Sequence, residues 1–183
     1  MTWSPMLRSI NALALLVLLN TFSWAIASDQ PKALTPPSSV READIIERLR
    51  PQEPVPRTRS MRNLTVDKRE VPQLDLAIPF EINSDRLTTQ GAEIVETLRR
   101  ALQSDALNSY RFQLVGHTDQ SGAASLNQLL SERRANRVLQ ELVRQGINPN
   151  RLQSEGRGWS QLIPQFPPTA PEHRRVTVMT LTE

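Results

Sequence analysis

The chain has 183 residues, with 22 Lys+Arg against 19 Asp+Glu, two His and no cysteine. The missing cysteines exclude disulfides, thiolate metal sites, cysteine nucleophiles and cysteine-linked lipid. The pI of about 10.1 invites a nucleic-acid reading. However, residues 71–183 hold twelve basic and twelve acidic side chains, and 20 of the whole chain's 22 basic residues are Arg. A neutral domain has no strong electrostatic reason to bind a phosphate backbone.

Arg8 precedes an apolar run from Ile10 to Leu19 broken only by Asn11, and Ala25-Ile26-Ala27 follows as a small-x-small site. That order is expected of a secretory signal peptide covering residues 1–27. An uncleaved anchor is the competing reading and the only route to membrane contact. The 18 residues from Ile10 to Ala27 are at the lower limit for a bilayer span and include two Asn, Thr and Ser. Either way the rest is exported, and a cysteine-free exported chain fits an oxidising periplasm.

Residues 28–72 read as a linker, since seven prolines fall between Pro31 and Pro72 and proline favours extended chain. An island at residues 40–50 places Ile45, Ile46 and Leu49 near helical spacing. It is read either as a frayed spacer or as a docking helix for a partner.

The domain is expected over residues 73–183. Leu74, Leu76, Ile78, Phe80 and Ile82 alternate as in a half-buried strand, with Pro79 marking an edge or a bulge. Asn83-Ser84-Asp85 is turn chemistry. Thr88 is placed to cap a helix carrying Leu87, Gly91, Ile94, Leu98, Ala101 and Leu102. Phe112, Leu114 and Gly116 form a second strand that runs into His117-Thr118-Asp119. A long helix follows from about Ala124 to Arg144, closed by Gly146 and Asn148-Pro149. Leu152–Gly158 and His173–Leu181 read as the last two strands. The order β-α-β-α-β-β predicts an α/β sandwich with two main helices on one face of a small mixed sheet.

Arg134 is the informative residue. Leu126, Leu130, Val138 and Leu142 follow at i+4 spacing, and Arg134 takes the missing rung. An unpaired buried charge is costly, so this side chain must either reach solvent along its stem or meet an anion. Asp119, at the carboxyl end of the second strand, is a candidate partner. One reading is a carboxylate and a guanidinium that together recognise a zwitterion. The other is an internal Asp119–Arg134 salt bridge pinning loop to helix.

The run LVGHTDQSGAASLNQLLSERRANRVLQELVRQGINPNRLQSEGRGW, closed by HRRVTV, resembles the OmpA-like peptidoglycan-binding domain of OmpA-type porins, the peptidoglycan-associated lipoprotein and motor B-type stator proteins. GHTD, LSERRA, GRG and RRV carry the resemblance over residues 74–183, and PFEINSDRLTTQG is similar to the family's first strand and helix start. It implies non-catalytic, non-covalent binding of the diaminopimelate of peptidoglycan stem peptides, with Asp119 and Arg134 as the two charged contacts. Asn83, Thr118, Asn127 and Arg174 match further positions around the ligand. His173 replaces the family's asparagine, and the Pro-rich stretch Gln161–Glu172 replaces a polar segment. Trp159, where many members have Glu, is read as a core aromatic rather than a lid.

No Ser-x-x-Lys, Gly-x-Ser-x-Gly or His-Glu-x-x-His pattern occurs, and the two histidines and the carboxylates lack metal-ligand spacing. His117 is read as shaping its loop. The expectation is therefore a non-enzymatic tether without cofactor or metal, in the periplasm or cell envelope of a Gram-negative bacterium. Peptidoglycan is its expected partner, an envelope protein a further one, and nucleic acid is not. The alternative is an assembly factor using the 40–50 helix or the Pro-rich loop.

Overall fold

The computed structural model describes residues 40–52 and 71–181. The expected signal peptide, residues 1–27, and the Pro-rich stretches 28–39 and 53–70 lie outside the described residues. The elements are α1 (Glu42–Leu49), β1 (Gln73–Leu76), α2 (Thr89–Gln103), β2 (Arg111–Gly116), α3 (Ala124–Arg144), β3 (Leu152–Gly156) and β4 (Val176–Leu181). Short 3-10 turns at Pro149–Arg151 and Pro171–His173 precede β3 and β4.

The strands lie in the order β1-β4-β2-β3. β4 is antiparallel to both β1 and β2, and β2 is parallel to β3. This register aligns Leu74, Val178 and Leu114 in one row and Leu76, Val176, Gly116 and Gly156 in the next. Alternate residues of one face (Leu74, Leu76, Phe112, Leu114, Val176, Val178) join Ile94, Leu98, Leu102, Val138 and Leu142 of the helices in one apolar core. The other face carries cross-strand polar pairs: Thr177 Oγ1 donates to Asp75 Oδ1 at 2.5 Å, and Gln113 Nε2 to Glu155 Oε2 at 2.8 Å.

The expected element order is present, with one helix more. The residue 40–50 island is α1, and Ile45 and Leu49 are fully buried in the core. Leu49 O accepts a 2.6 Å hydrogen bond from Thr180 Oγ1 of β4. Neither a frayed spacer nor a free docking helix describes it, because its apolar residues face its own domain. Thr88 caps α2 as expected, accepting the Gly91 N–H at 3.1 Å.

Two readings of strand and stripe are corrected. β1 is an edge strand but ends at Leu76, where the Ile78 N–H turns back onto Leu76 O at 3.0 Å and the chain leaves the sheet ahead of Pro79. Beyond it Phe80 keeps only an isolated bridge to Leu87, and Ile82 is 92% exposed. On α3 the buried line is Asn127, Ser131, Ala135, Val138 and Leu142, whereas Leu126 is 67% exposed. The inward face is thus one residue round from the leucine ladder, and Arg134 stands at its border. The cause is close packing. A Cβ on Gly116 would lie 2.2 Å from Ser131 O, and one on Gly156 would lie 2.4 Å from the Glu132 N. The helix backbone rests on paired glycines, leaving no room for leucine there.

Candidate functional site

The C-terminal ends of β2 and β3 and the entrance to β4 are laced together by backbone. His117 N–H donates to Arg175 O at 2.9 Å, Thr118 N–H to Gly158 O at 2.8 Å, and Arg157 N–H to Gly116 O at 2.9 Å. The following loop is set by side chains. Asp119 Oδ1 accepts the Ser121 N–H at 2.8 Å, and Asn127 Nδ2 donates to Ser121 O at 2.7 Å. Buried Asn127 therefore belongs to α3's inward face because it holds this loop.

Against the loop, residues 77–83 form the opposite wall of a cavity of about 630 Å³, within the range that accepts small ligands. All six residues singled out from the sequence (Asn83, Thr118, Asp119, Asn127, Arg134 and Arg174) line it. Asn83 sits at φ 51°, a left-handed conformation that asparagine tolerates. That turn presents Ser84 O to Arg134, whose Nε donates to it at 3.1 Å.

Arg134 also lies over the Phe80 ring, 5.0 Å from its centroid, a cation–π geometry. Burial pushes its pKa below the usual guanidinium value, Arg174 adds to that, and Asp119 and Asp85 oppose it. The internal Asp119–Arg134 salt bridge is not formed. Asp119 instead pairs with Arg174, Nε to Oδ2 at 3.7 Å, leaving the Arg134 guanidinium with no ion pair among the described residues.

Several wall residues had no reading as site residues in the sequence: Phe80, Leu130, Pro171 and Arg175. Arg175 is held by Asp75, Nε to Oδ2 at 3.3 Å, and donates to Gln161 O at 3.2 Å. The adjacent arginines of RRV were the available signal, but not which one faces inward. His117 also lines the cavity, 3% exposed, and its Nδ1 has no hydrogen-bond partner. Burial, followed by the Arg175 charge, lowers its pKa to about 4. Thr118 Oγ1 is likewise buried without a partner.

The Pro-rich stretch is tied to the site. His173, fully buried, accepts the Ile163 N–H on Nδ1 at 3.2 Å, which leaves Nε2 to donate to Pro167 O at 2.8 Å. Pro168 O accepts the Gln120 N–H at 2.9 Å. The histidine at this position thus holds the proline loop at two points, and the loop's own Pro168 carbonyl ties it to the residue after Asp119. Trp159 is half-buried and outside the apolar core cluster, so the core reading is corrected; it is not a cavity residue either.

The same architecture occurs in known proteins. Outer membrane protein A of Bordetella avium is 37% identical over 79 residues, which make up 43% of this chain and 40% of that protein. The chain therefore spans well under half of that relative. The periplasmic domain of Helicobacter pylori MotB superposes with a TM-score of 0.53 at 23% identity, covering 61% of this chain and 82% of that one. The cell wall anchor of the T6SS from Pseudomonas aeruginosa gives 0.52 at 20% identity, covering 64% and 85%. These two likenesses establish the fold. The sequence profile of the OmpA family matches residues 79–175, more than half of the chain and all of the cavity-lining motifs from Pro79 to Arg175, and the chain belongs to that family.

Proposed function

We propose that this domain binds peptidoglycan without cleaving it, gripping the diaminopimelate of a stem peptide in the cavity between Asp119 and Arg134. The observation that carries this reading is a half-buried guanidinium without a carboxylate ion pair among the described residues, sharing one cavity with a buried carboxylate. Arg134 is pre-positioned by Phe80 and Ser84 O, so its fork can take a ligand carboxylate in a bidentate manner at little further ordering cost. Asp119 offers Oδ2 to a ligand ammonium in exchange for the long contact to Arg174. Thr118 also lines the cavity, and its buried Oγ1 has no hydrogen-bond partner. Recognition of this kind needs charge and shape only, with no bond chemistry. Exported by its N-terminal signal, the protein would act in the periplasm as a tether to the wall. The alternative of α1 as a partner-docking helix loses its support, because Ile45 and Leu49 are buried within the domain.

The test is retention on purified sacculi. Wild-type chain should pellet with them and be released by free diaminopimelate, and Asp119→Ala and Arg134→Ala should each abolish retention while leaving the melting curve intact. Retention of both variants at the wild-type level would overturn the reading.

A further inference from the structure

The charges lining the cavity do not match a simple zwitterion. Glu81 is answered by Arg86 at 3.7 Å and Arg175 by Asp75 at 3.3 Å, so these two cancel locally. What remains is one carboxylate, Asp119, against two guanidiniums, Arg134 and Arg174. A ligand end with one ammonium and one carboxylate satisfies Asp119 and Arg134 and leaves Arg174 over.

Arg174 is placed to be released. Its only ion pair among the described residues is the 3.7 Å contact to Asp119 Oδ2, and its side chain is 54% exposed, which makes the pair weak and easily exchanged. An ammonium arriving at Asp119 competes for the same oxygen and repels the guanidinium, because Oδ1 is already held by the Ser121 N–H. Arg134 repels it from the other side. The displaced guanidinium stays at the cavity mouth, where a second anion would hold it.

Resting on the diaminopimelate reading above, we propose that the site takes a peptide bearing one ammonium and two carboxylates. Arg134 binds the carboxylate beside the ammonium, and Arg174 binds a second one on a neighbouring residue of the same peptide. The cavity volume of about 630 Å³ suits a peptide segment better than a single side-chain end. Two sources supply such a carboxylate in a stem peptide: the α-carboxylate of the γ-linked glutamyl residue before diaminopimelate, and the terminal carboxylate after it. Arg174 is on this account a specificity residue that favours unamidated stem peptides.

The experiment is calorimetric titration of the full chain, wild type, Arg174→Gln and Arg134→Gln, with four ligands. These are a diaminopimelate tetrapeptide, its analogue amidated at the glutamyl carboxylate, its C-terminal amide, and the doubly amidated form. Arg174→Gln should weaken tetrapeptide binding about tenfold, as loss of one charge-assisted contact does. One of the two single amidations should weaken wild type by a similar factor and shrink the effect of Arg174→Gln to less than twofold, which identifies the source. Arg174→Lys, which keeps charge without the fork, should fall between. An Arg174→Gln effect that persists on the doubly amidated ligand, or no effect on any ligand, overturns the proposal alone if Arg134→Gln still abolishes binding. Tetrapeptide binding by Arg134→Gln at the wild-type level, or none by wild type, overturns the underlying reading and this one with it.

Discussion

The guanidinium of Arg134 rests 5.0 Å from the centroid of the Phe80 ring while its Nε donates to Ser84 O at 3.1 Å. One residue of α3 is thereby anchored to two points of the segment that left the sheet after β1. This resolves the fate of a cation at the edge of an apolar helix face: it stays half-buried without an internal ion pair among the described residues, held by a ring face and a carbonyl.

Phe80→Leu keeps the apolar wall and removes the π face. Cation–π contacts of this kind are worth about 0.5–2 kcal/mol, and the loss should appear as a less pre-positioned Arg134. Sacculus affinity should drop about fivefold, with global stability changed by less than about 1 kcal/mol. Binding isotherms beside urea unfolding would check this. Unchanged affinity would mean that Ser84 O alone positions the guanidinium.

Leu49 of α1 is fully buried and its carbonyl is bonded by Thr180, so α1 contributes to the fold itself. Leu49→Ala should cost about 2–5 kcal/mol, the range for truncating a buried leucine, read as a lower urea midpoint at unchanged m-value. Deleting residues 40–50 should destabilise the domain by more than that. A deletion variant as stable as the parent would return α1 to the role of an accessory segment.

Legibility from sequence followed locality. The bounds of α3 are readable at both ends because a long periodic run stops at Gly146 and Asn148-Pro149, and Thr88 is readable as a cap because its bond spans three residues. The six cavity residues come together because five of them lie on the β2–α3 loop, on α3 or at the entrance to β4, and the sixth is in the turn facing them. What could not be read depended on distance. An eight-residue helix is marginal alone, and α1 is fixed by partners such as Thr180, far along the chain. The leucine ladder of α3 misled because the constraint on its buried face, Gly116 beside Gly156, lies in the sheet beneath. The alternation from Leu74 to Ile82 overran because hydrophobic pattern carries no information on where a strand loses its neighbour.

That glycine pair gives a direct packing test. A methyl group at Gly116 would meet Ser131 O at 2.2 Å, and one at Gly156 would meet the Glu132 backbone at 2.4 Å. Neither contact is with a flexible side-chain end, so α3 must be pushed off the sheet. Gly116→Ala and Gly156→Ala should each destabilise by about 2–4 kcal/mol, at or above the usual range for overpacking, and shift the melting temperature down by roughly 10 °C or more. The displacement should also reach the cavity, since Asn127 holds Ser121 from the same helix. Thermal melts of both variants are the check, and wild-type midpoints would contradict the close approach.

His117 sets a pH dependence with a definite sign. Its pKa is lowered from 6.5 to about 4 by burial first and then by Arg175 and Arg157, with Asp75 opposing. The folded state thus resists the proton that the unfolded chain accepts. Above the unfolded value both states are neutral and the group contributes no pH slope. As pH falls from about 6.5 toward 4 the unfolded state gains protons alone and stability declines, and below about 4 both states are protonated and the decline stops. Between pH 7 and pH 5 the loss from this residue should be roughly 2 kcal/mol. His117→Asn, which cannot titrate, should lack that part of the slope whatever its stability at pH 7. Urea unfolding of both proteins at pH 7, 6 and 5 makes the comparison, and parallel declines would show that other groups carry the acid sensitivity.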